Sequence, residues 1–322
     1  MESVALDSFG GPEVLTVRTI STPLPRLDQI SVEVEFATVN PTDVLLRTGA
    51  QVKALESAEG PWIPGMEFAG VIDQVGDDCL DSGLGVGDLV IGLVNPRRLE
   101  GGAYTTSIRV DPSALAVRPA SIAAAAAATL PMNGVTALMA LEAVGLGAGG
   151  SVLITGGAGA LGGYCIQLAR KAGLTVIAHG RPGDVETLRD LGSTHVISGE
   201  DPLPASVHAI LPQGVDAVID TARIGLPAAA AVRDDGVMVH VLPPSGDRDA
   251  RLQQEVVSVT KRMGDKAALE RLVELTKDGV LTPRVATVLS MTRAPQAHEL
   301  VERGGLRGRV VLDFRPGSNL AD

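Results

Sequence analysis

The 322-residue chain has few aromatic residues, cysteines and histidines, and each shortage excludes a kind of protein. Its two cysteines, Cys79 and Cys165, cannot build a disulfide framework or a four-ligand zinc site. Its five histidines do not show the HxxxH or HExxH spacing that is typical of metal-binding helices. The longest apolar stretch, residues 121–148, is rich in alanine and is interrupted by Pro131 and Gly134. It therefore predicts a helix, a break and a second helix, and not a membrane span.

Positive charge is also scarce, because 27 lysines and arginines face 38 acidic residues and give a net charge of −11. An acidic chain without basic clusters is a poor candidate for binding nucleic acid or an anionic membrane. The first residues, "MESVALDSFGG", lack a basic region followed by an apolar core, so we expect no signal peptide and a cytoplasmic location.

Hydrophobic patterning divides the chain into two predicted domains. Residues 1–118 contain short segments such as "QISVEVEFATV", whose alternation of apolar and polar residues predicts half-buried strands of a small β domain. Residues 119–262 alternate apolar strands with helical stretches, which predicts a doubly wound α/β domain with a parallel sheet. Residues 263–322 return to β-like sequence, and we expect them to fold back onto the first domain.

A glycine-rich turn, "TGGAGALGG" at residues 155–163, follows the predicted strand "SVLI" and opens a helix. Its G-x-G-x-x-G pattern is that of a dinucleotide site. The first glycine permits the tight turn, the second lets a pyrophosphate approach, and the third allows close helix packing. The alternative is a purely structural corner. The predicted nucleotide contacts are Gly157, Gly159, Ala160, Leu161 and Gly162.

The choice of cofactor depends on the end of the next strand, where NAD-binding proteins place an acidic residue that binds the ribose hydroxyls. This chain has His179 and Arg181 there, and Asp184 is placed to cap the following helix. Arg181 can pair with a 2′-phosphate, with His179 assisting, so the sequence predicts NADPH. The alternative is that Arg181 is a solvated loop residue and that selectivity is weak.

Several segments together resemble one family. They include "VNPTDVLLRTG" (39–49), "IPGMEFAGVI" (63–72), "LPMNGVTAL" (130–138) and "GGAGALGGYCIQLARKAG" (156–173). In this order they resemble the zinc-independent quinone oxidoreductase branch of the medium-chain dehydrogenase/reductase superfamily. The resemblance implies a GroES-like β domain joined to a Rossmann domain, and a homodimer.

The resemblance also implies that no metal is bound. Zinc-dependent members have a cysteine in the segment that reads Asn40–Asp43 here, and a histidine where this chain has Met66. Threonine and methionine cannot replace these zinc ligands. Without zinc, a conjugated and already electron-poor acceptor, such as a quinone or an enone, fits better than an ordinary alcohol.

The catalytic candidates that the resemblance implies lie in the N-x-x-D segment. The amide of Asn40 can donate to a substrate oxygen on which negative charge develops, although a turn residue before Pro41 is the alternative. Thr42 can donate a hydroxyl hydrogen bond, and Asp43 more plausibly orients its neighbours than acts as an acid.

The remaining candidates border the predicted cofactor and substrate. Leu45 stands where many relatives have a tyrosine, which leaves water as a candidate proton source. Alternatives are open for three of them, since Trp62 and Tyr104 can simply pack between strands and Arg309 can be an exposed cation. The predicted substrate pocket contains Leu45, Trp62, Tyr104 and Met132. The further predicted cofactor contacts are Thr136, Thr221, Leu242, Lys261 and Arg309.

The sequence therefore predicts an NADPH-dependent quinone reductase with a small-molecule substrate. One alternative is an enoyl-thioester or enone reductase, for which a basic groove that binds a carrier would be the distinguishing feature. The other is a non-catalytic NADPH-binding protein, which the leucine at position 45 keeps open.

Overall fold

The computed structural model describes residues 1–21, 25–57, 59–198, 202–244 and 246–317, and the chain divides into two compact units. The first unit contains Met1–Met132, Arg262–Lys277 and Pro283–Asp322, and the second contains Asn133–Lys261 and Asp278–Thr282. The boundary predicted after residue 118 lies earlier than this division. One reason is a hydrogen bond of 2.8 Å within the first unit, which the Thr38 hydroxyl donates to the carbonyl of Ala128.

The strands are numbered here along the chain. They are β1 (Glu2–Ala5), β2 (Thr16–Thr19), β3 (Ile30–Thr38), β4 (Glu67–Val75), β5 (Leu89–Leu93), β6 (Ser107–Val110), β7 (Leu115–Val117), β8 (Ser151–Thr155), β9 (Thr175–His179), β10 (His195–Ile197), β11 (Val215–Asp220), β12 (Val232–His240), β13 (Gln253–Val256), β14 (Val285–Ser290) and β15 (Arg309–Asp313).

The α-helices are numbered in the same way. They are α1 (Pro41–Arg47), α2 (Ala124–Ala127), α3 (Pro131–Val144), α4 (Ala160–Lys171), α5 (Val185–Asp190), α6 (Leu203–Ile210), α7 (Leu226–Ala229), α8 (Lys266–Lys277) and α9 (Ala294–Arg303). None of the helices in the described part of the chain is both long and apolar enough to cross a lipid bilayer.

The first unit is built on a mainly antiparallel sheet in the order β14-β15-β3-β4-β5-β7, and β6 also pairs with β3. Strand β15 runs antiparallel to β3, so the C-terminal segment folds back onto the N-terminal strands as its sequence predicted. The apolar side chains of these strands form one core, in which Tyr104 and Phe68 are fully buried.

The second unit contains a parallel sheet in the order β10-β9-β8-β11-β12-β13. Every residue of β8 is buried, in keeping with its nearly apolar sequence. The predicted α/β fold with a parallel sheet is therefore confirmed. Strand β13 ends at Val256, and Val259–Arg262 then forms a 3-10 turn.

Because the strands of this sheet are parallel, their carboxyl ends meet at one edge. Thr155, His179, Asp220 and His240 are the last residues of four of them. In open α/β sheets this edge is where ligands bind.

Candidate active site

The glycine-rich turn of the second unit joins β8 to α4. Gly156 has a φ of +61°, in the left-handed region that favours glycine. Gly157 is needed for packing instead, because a Cβ there would lie 2.7 Å from Leu188 Cδ2 and 2.8 Å from Ile166 Cδ1. The residue that permits the tight turn is thus Gly156 and not, as the pattern suggested, Gly157.

The next two glycines differ in what surrounds them. A Cβ on Gly162 would lie 2.4 Å from the carbonyl oxygen of Gly156, so the helix can pack this closely only with glycine. A Cβ on Gly159 would approach Gly156 O at 3.2 Å, and no other described atom within 4 Å beyond its chain neighbours. The backbone at Gly159 is therefore open to close approach by a ligand.

Helix α4 begins at Ala160, after Gly159, and no side chain caps it. The first N–H groups of an α-helix lack intrahelical acceptors, and the helix dipole adds partial positive charge there. Ala160 and Leu161 are the first two residues of this turn, and both are half-buried. These residues fit the pyrophosphate of a dinucleotide.

Strand β9 ends beside this turn, because the Gly157 N–H donates to the carbonyl of His179 at 3.0 Å. Among the described residues, the buried Nδ1 of His179 has no hydrogen-bond partner. Burial lowers the pKa of His179, and the charge of Asp220 partly opposes this effect. The imidazole thus offers an unpaired polar atom beside the turn, which fits a bound nucleotide.

Arg181 follows at the end of β9, and its side chain is exposed. Asp184 is buried and accepts a 3.0 Å hydrogen bond from the Arg181 backbone N–H, so its side chain closes the 3-10 turn Pro182–Asp184 that precedes α5. Asp184, the first acidic residue after β9, is therefore not available to bind the ribose hydroxyls of a cofactor.

The ends of β8 and β11 are joined by side chains. The Thr155 hydroxyl donates to Asp220 at 2.6 Å, and the Thr221 hydroxyl donates to the Thr155 carbonyl. Asp220 also accepts from the backbone N–H of Gly225 at 2.8 Å. The hydroxyl of Thr221, predicted to contact the cofactor, is thus used within the protein.

A cleft of about 580 Å³ lies in the second unit at the ends of β11 and β12. Leu242 lines it, together with Ala222 and His240. Two other predicted cofactor residues differ in exposure, since Thr136 is buried in α3 and Lys261 is exposed. Their roles stay predictions.

In the first unit, Asn40 precedes α1 and is fully buried. Its amide nitrogen donates to Glu67 at 3.1 Å and to the Thr38 carbonyl at 3.3 Å, and its amide oxygen accepts from Arg309. Both amide hydrogens therefore have acceptors within the protein. The prediction that Asn40 donates to a substrate oxygen is not supported by this arrangement.

Arg309 is a correction to the sequence analysis, because it is neither an exposed cation nor free to bind a phosphate. It is 7% exposed, and its guanidinium forms an ion pair of 2.9 Å with the fully buried Glu67. Glu67 also accepts from the Met132 N–H at 2.7 Å. Burial raises the pKa of Glu67, and Arg309 opposes the rise.

Thr42 lies in the first turn of α1, with two methionines near its hydroxyl. Its Oγ1 is 3.1 Å from the sulfur of Met66 and 4.0 Å from that of Met132. A hydroxyl and thioethers are poor zinc ligands, and the nearby Glu67 is already paired, so these residues do not fit a catalytic zinc ion. Among the described residues, no group of three or more His, Cys, Asp or Glu side chains can hold a metal.

The predicted substrate-pocket residues do not all lie together. Tyr104 is a second correction, because it is fully buried and its hydroxyl contacts Asp43 and His298 instead of an open pocket. Trp62 stacks on Phe9 with ring centroids 4.4 Å apart, which supports the packing alternative. Leu45 and Met132 are half-buried.

Sequence reasoning missed the roles of Glu67 and His298. Glu67 carried a signal, since it is an acidic residue at the start of the apolar segment "EFAGVI". His298 carried none, because it lies among polar residues on α9 and only the fold brings it to Tyr104.

A parallel sheet with a glycine turn at its switch edge, joined to a separate β unit, defines a class of pyridine nucleotide-binding oxidoreductases. Two family models match the chain. The alcohol dehydrogenase GroES-like domain matches residues 26–121, and the zinc-binding dehydrogenase model matches residues 191–312.

Proteins similar to this chain belong to the same class of oxidoreductases. The chain is 32% identical to an NADPH-dependent alkenal/one oxidoreductase of Arabidopsis thaliana and 29% identical to a 2-methylene-furan-3-one reductase of Solanum lycopersicum, each over 97% of this chain and 79% of the relative. The solved quinone oxidoreductase of Coxiella burnetii superposes with a TM-score of 0.86 at 27% identity, over 98% of this chain and 99% of that one. The chain belongs to the zinc-independent quinone oxidoreductase branch of the medium-chain dehydrogenase/reductase superfamily.

Proposed function

We propose that the chain is an NADPH-dependent reductase that transfers a hydride to a quinone or a similarly electron-poor conjugated carbonyl compound, without zinc. The observation that carries the proposal is the set of side chains around Thr42. Its hydroxyl meets two thioethers, and the neighbouring carboxylate of Glu67 is neutralised by Arg309. An acceptor that is already electron-poor fits such a site, because it needs no Lewis acid to polarise it.

The proposed cofactor residues are those of the second unit. Ala160 and Leu161 would bind the pyrophosphate with backbone N–H groups, as helix starts bind anions elsewhere, and Gly159 would let the phosphates approach the backbone closely. Arg181 would pair with the 2′-phosphate, and His179 would contact the same end of the nucleotide. When bound, NADPH supplies the hydride. Thr136, Thr221, Leu242 and Lys261 stay predicted contacts of its remaining parts.

Thr42 takes over the donor role first expected of Asn40. A thioether is a weak hydrogen-bond acceptor, so the Thr42 hydroxyl gives up little when it turns to a substrate oxygen. A donor aimed at an oxygen on which charge develops stabilises the transition state. Asp43 would hold the turn that carries Thr42, as its bonds to the Asn40 and Gly65 N–H groups indicate.

An α,β-unsaturated ketone or aldehyde is the second candidate substrate class. It is favoured by the relatives that the chain resembles, whose names specify alkenals, enones and a 2-methylene-furan-3-one. Each of these compounds has a C=C bond conjugated with a carbonyl group. Hydride addition at carbon and protonation at the other end of the conjugated system would reduce it.

The other expectations about partners stay proposals. We propose a homodimer, on the resemblance to the family. We further propose that the protein acts in the cytoplasm, as its N-terminal sequence predicts. The net charge of −11 supports the proposal that it has no nucleic-acid or membrane partner.

The test is cofactor oxidation, followed by absorbance, with NADPH and NADH against two quinones, an enone and an enoyl thioester. We expect NADPH loss with a quinone or the enone. Arg181→Ala should raise the KM for NADPH about tenfold or more and leave that for NADH unchanged, since a charge-assisted hydrogen bond is lost. Arg189→Ala, which removes an exposed arginine of α5, is the matched control.

Two results would contradict the proposal. Binding of NADPH without oxidation by any acceptor would favour the non-catalytic alternative. Reduction of the enoyl thioester alone would move the function to thioester reduction.

A further inference from the structure

Three buried polar side chains form a hydrogen-bonded chain inside the first unit. The Tyr104 hydroxyl lies 3.4 Å from Oδ2 of Asp43 and 3.3 Å from Nε2 of His298. All three residues are 0% exposed. This hydrogen-bonded chain runs from His298 on α9, through Tyr104 in the segment that precedes β6, to Asp43 in the first turn of α1. It therefore joins parts of the protein that are distant in sequence.

The hydrogen-bond partners of His298 and Tyr104 indicate which of their atoms carry hydrogens. Nδ1 of His298 is buried and has no partner among the described residues, so the single hydrogen of the neutral ring belongs on Nε2, which faces Tyr104. Nε2–H then donates to the Tyr104 oxygen, and the Tyr104 hydroxyl is left to donate to Asp43. This direction suits an ionised Asp43, which can only accept.

The Asp43 carboxylate also accepts hydrogen bonds from two turns of the backbone. Its Oδ2 accepts from the Asn40 N–H at 2.8 Å, and its Oδ1 accepts from the Gly65 N–H at 2.9 Å. Asn40 precedes the turn that carries Thr42, and Gly65 directly precedes Met66. One carboxylate therefore holds the backbone on both sides of the contact between Thr42 and Met66.

Tyr104 also fits closely against the second of these turns. Gly65 has a φ of +99°, and a Cβ there would lie 2.5 Å from Cδ1 of Tyr104. The ring and the turn therefore cannot shift independently.

We infer that Tyr104 and His298 are positioning residues, which orient the Asp43 carboxylate and through it the Thr42 hydroxyl and the Met66 sulfur. This inference rests on the proposed function, in which Thr42 donates to the substrate oxygen. It adds the residues that hold Thr42 in place.

Burial shifts the pKa values of Asp43 and His298, the two ends of this hydrogen-bonded chain, in opposite directions, and Asp43 is ionised above about pH 7. Asp43 faces Glu67 and Arg309, and burial raises the pKa of Asp43 to about 7. His298 faces the charge of Arg47, which is itself paired with Glu302 at 2.6 Å. Burial, with Arg47 adding to it, lowers the pKa of His298 to about 3, so the ring is neutral at working pH.

The first experiment needs no turnover. Hydrogen exchange of the Asn40 and Gly65 amides, followed by NMR, reports how well Asp43 is held. Tyr104→Phe should speed exchange at both amides about two- to tenfold, because one hydrogen bond to the carboxylate is lost. Tyr164→Phe, the same change at the chain's other tyrosine, in α4 of the second unit, should leave both rates at the wild-type value.

The second experiment uses the pH profile of kcat/KM. Loss of the Tyr104 donor disfavours the ionised form of Asp43, so Tyr104→Phe should move the acid limb to higher pH. His298→Phe should move it in the same direction but less. His298→Gln, whose amide can donate to the Tyr104 oxygen, should restore the wild-type limb.

The inference is overturned if folded Tyr104→Phe and His298→Phe proteins keep wild-type amide exchange and the wild-type acid limb. It is also overturned if His298→Gln behaves like His298→Phe. If none of the tested acceptors supports NADPH oxidation by the wild-type protein, the proposed function fails. The exchange rates still decide whether Tyr104 and His298 hold Asp43.

Discussion

At the scale of single residues, the buried ion pair of Glu67 and Arg309 constrains the interior of the first unit. Arg309→Met would leave the Glu67 carboxylate buried without its cation, which costs about 3–5 kcal/mol in the free energy of unfolding. The double change Glu67→Gln with Arg309→Met should cost less than the sum of the single changes, because no charge is then left unpaired. Urea denaturation measures both quantities.

The control is Lys277→Met, which breaks an ion pair whose side chains are 44% and 62% exposed. It should cost no more than about 1 kcal/mol. If Arg309→Met costs as little as Lys277→Met, the pair does not contribute what its burial implies.

Asp43 makes stability depend on pH. Burial raises its pKa from 3.8 to about 7, so between these values the folded protein binds a proton that the unfolded chain releases. The contribution of Asp43 to the free energy of unfolding is therefore present at low pH and is lost as pH rises towards 7. In this window the wild-type slope should be more negative than that of Asp43→Asn, by up to about 1.4 kcal/mol per pH unit. Equal slopes in urea titrations would show that Asp43 ionises normally.

At the scale of elements, the glycines at the start of α4 separate binding from folding. Gly159→Ala adds a methyl group 3.2 Å from the Gly156 carbonyl oxygen, on backbone that a pyrophosphate must approach, so NADPH affinity should fall about tenfold or more, with a smaller change in Tm than that of Gly162→Ala. Gly162→Ala places a Cβ against the Gly156 carbonyl and should lower Tm. Gly183→Ala, which meets no described atom within 4 Å, is the control.

Fluorescence titration and thermal unfolding provide the two measurements for these variants. A Gly159→Ala protein that binds NADPH as tightly as Gly183→Ala would mean that the turn is only a structural corner.

Local sequence predicted the elements well, because a buried parallel strand and an amphipathic helix each leave a short-range pattern. "SVLIT" is β8, and the amphipathic segment "KAALERLVELTKDG" contains α8, which ends at Lys277, two residues before the end of that segment. The glycine pattern misplaced the positive φ of the turn by one residue, at Gly157 instead of Gly156.

The candidate site was less predictable, because its bonds join residues far apart in the chain. Asn40 looked like a free donor until the fold brought Arg309 and Glu67 to its amide. Likewise, Tyr104 looked available for substrate until it met Asp43 and His298. The sequence contains each side chain but not these distances, and the distances decide which polar groups remain for a substrate.

At the scale of the whole molecule, the two units contain different kinds of side chain that the proposed reaction would use. The second unit has the glycine turn, the exposed Arg181 and the Nδ1 atom of His179, which has no hydrogen-bond partner in the part of the chain that the structure describes. These groups suit an anionic nucleotide. In the first unit, the Thr42 hydroxyl contacts two thioethers, and the nearby carboxylate of Glu67 is paired with Arg309. This division favours an acceptor that is reactive without strong polarisation.

Metal removal tests this whole-molecule reasoning. After treatment with a chelator and dialysis, the protein should contain far less than one zinc per chain, and its Tm and its turnover of a quinone or enone should not change. The reason is that Thr42 and Met66 offer zinc no thiolate or imidazole, and Glu67 is held by Arg309. Added zinc should likewise leave turnover unchanged. A tightly bound zinc whose removal abolishes turnover, and whose return restores it, would place the metal elsewhere and would require a different account of how the acceptor is activated.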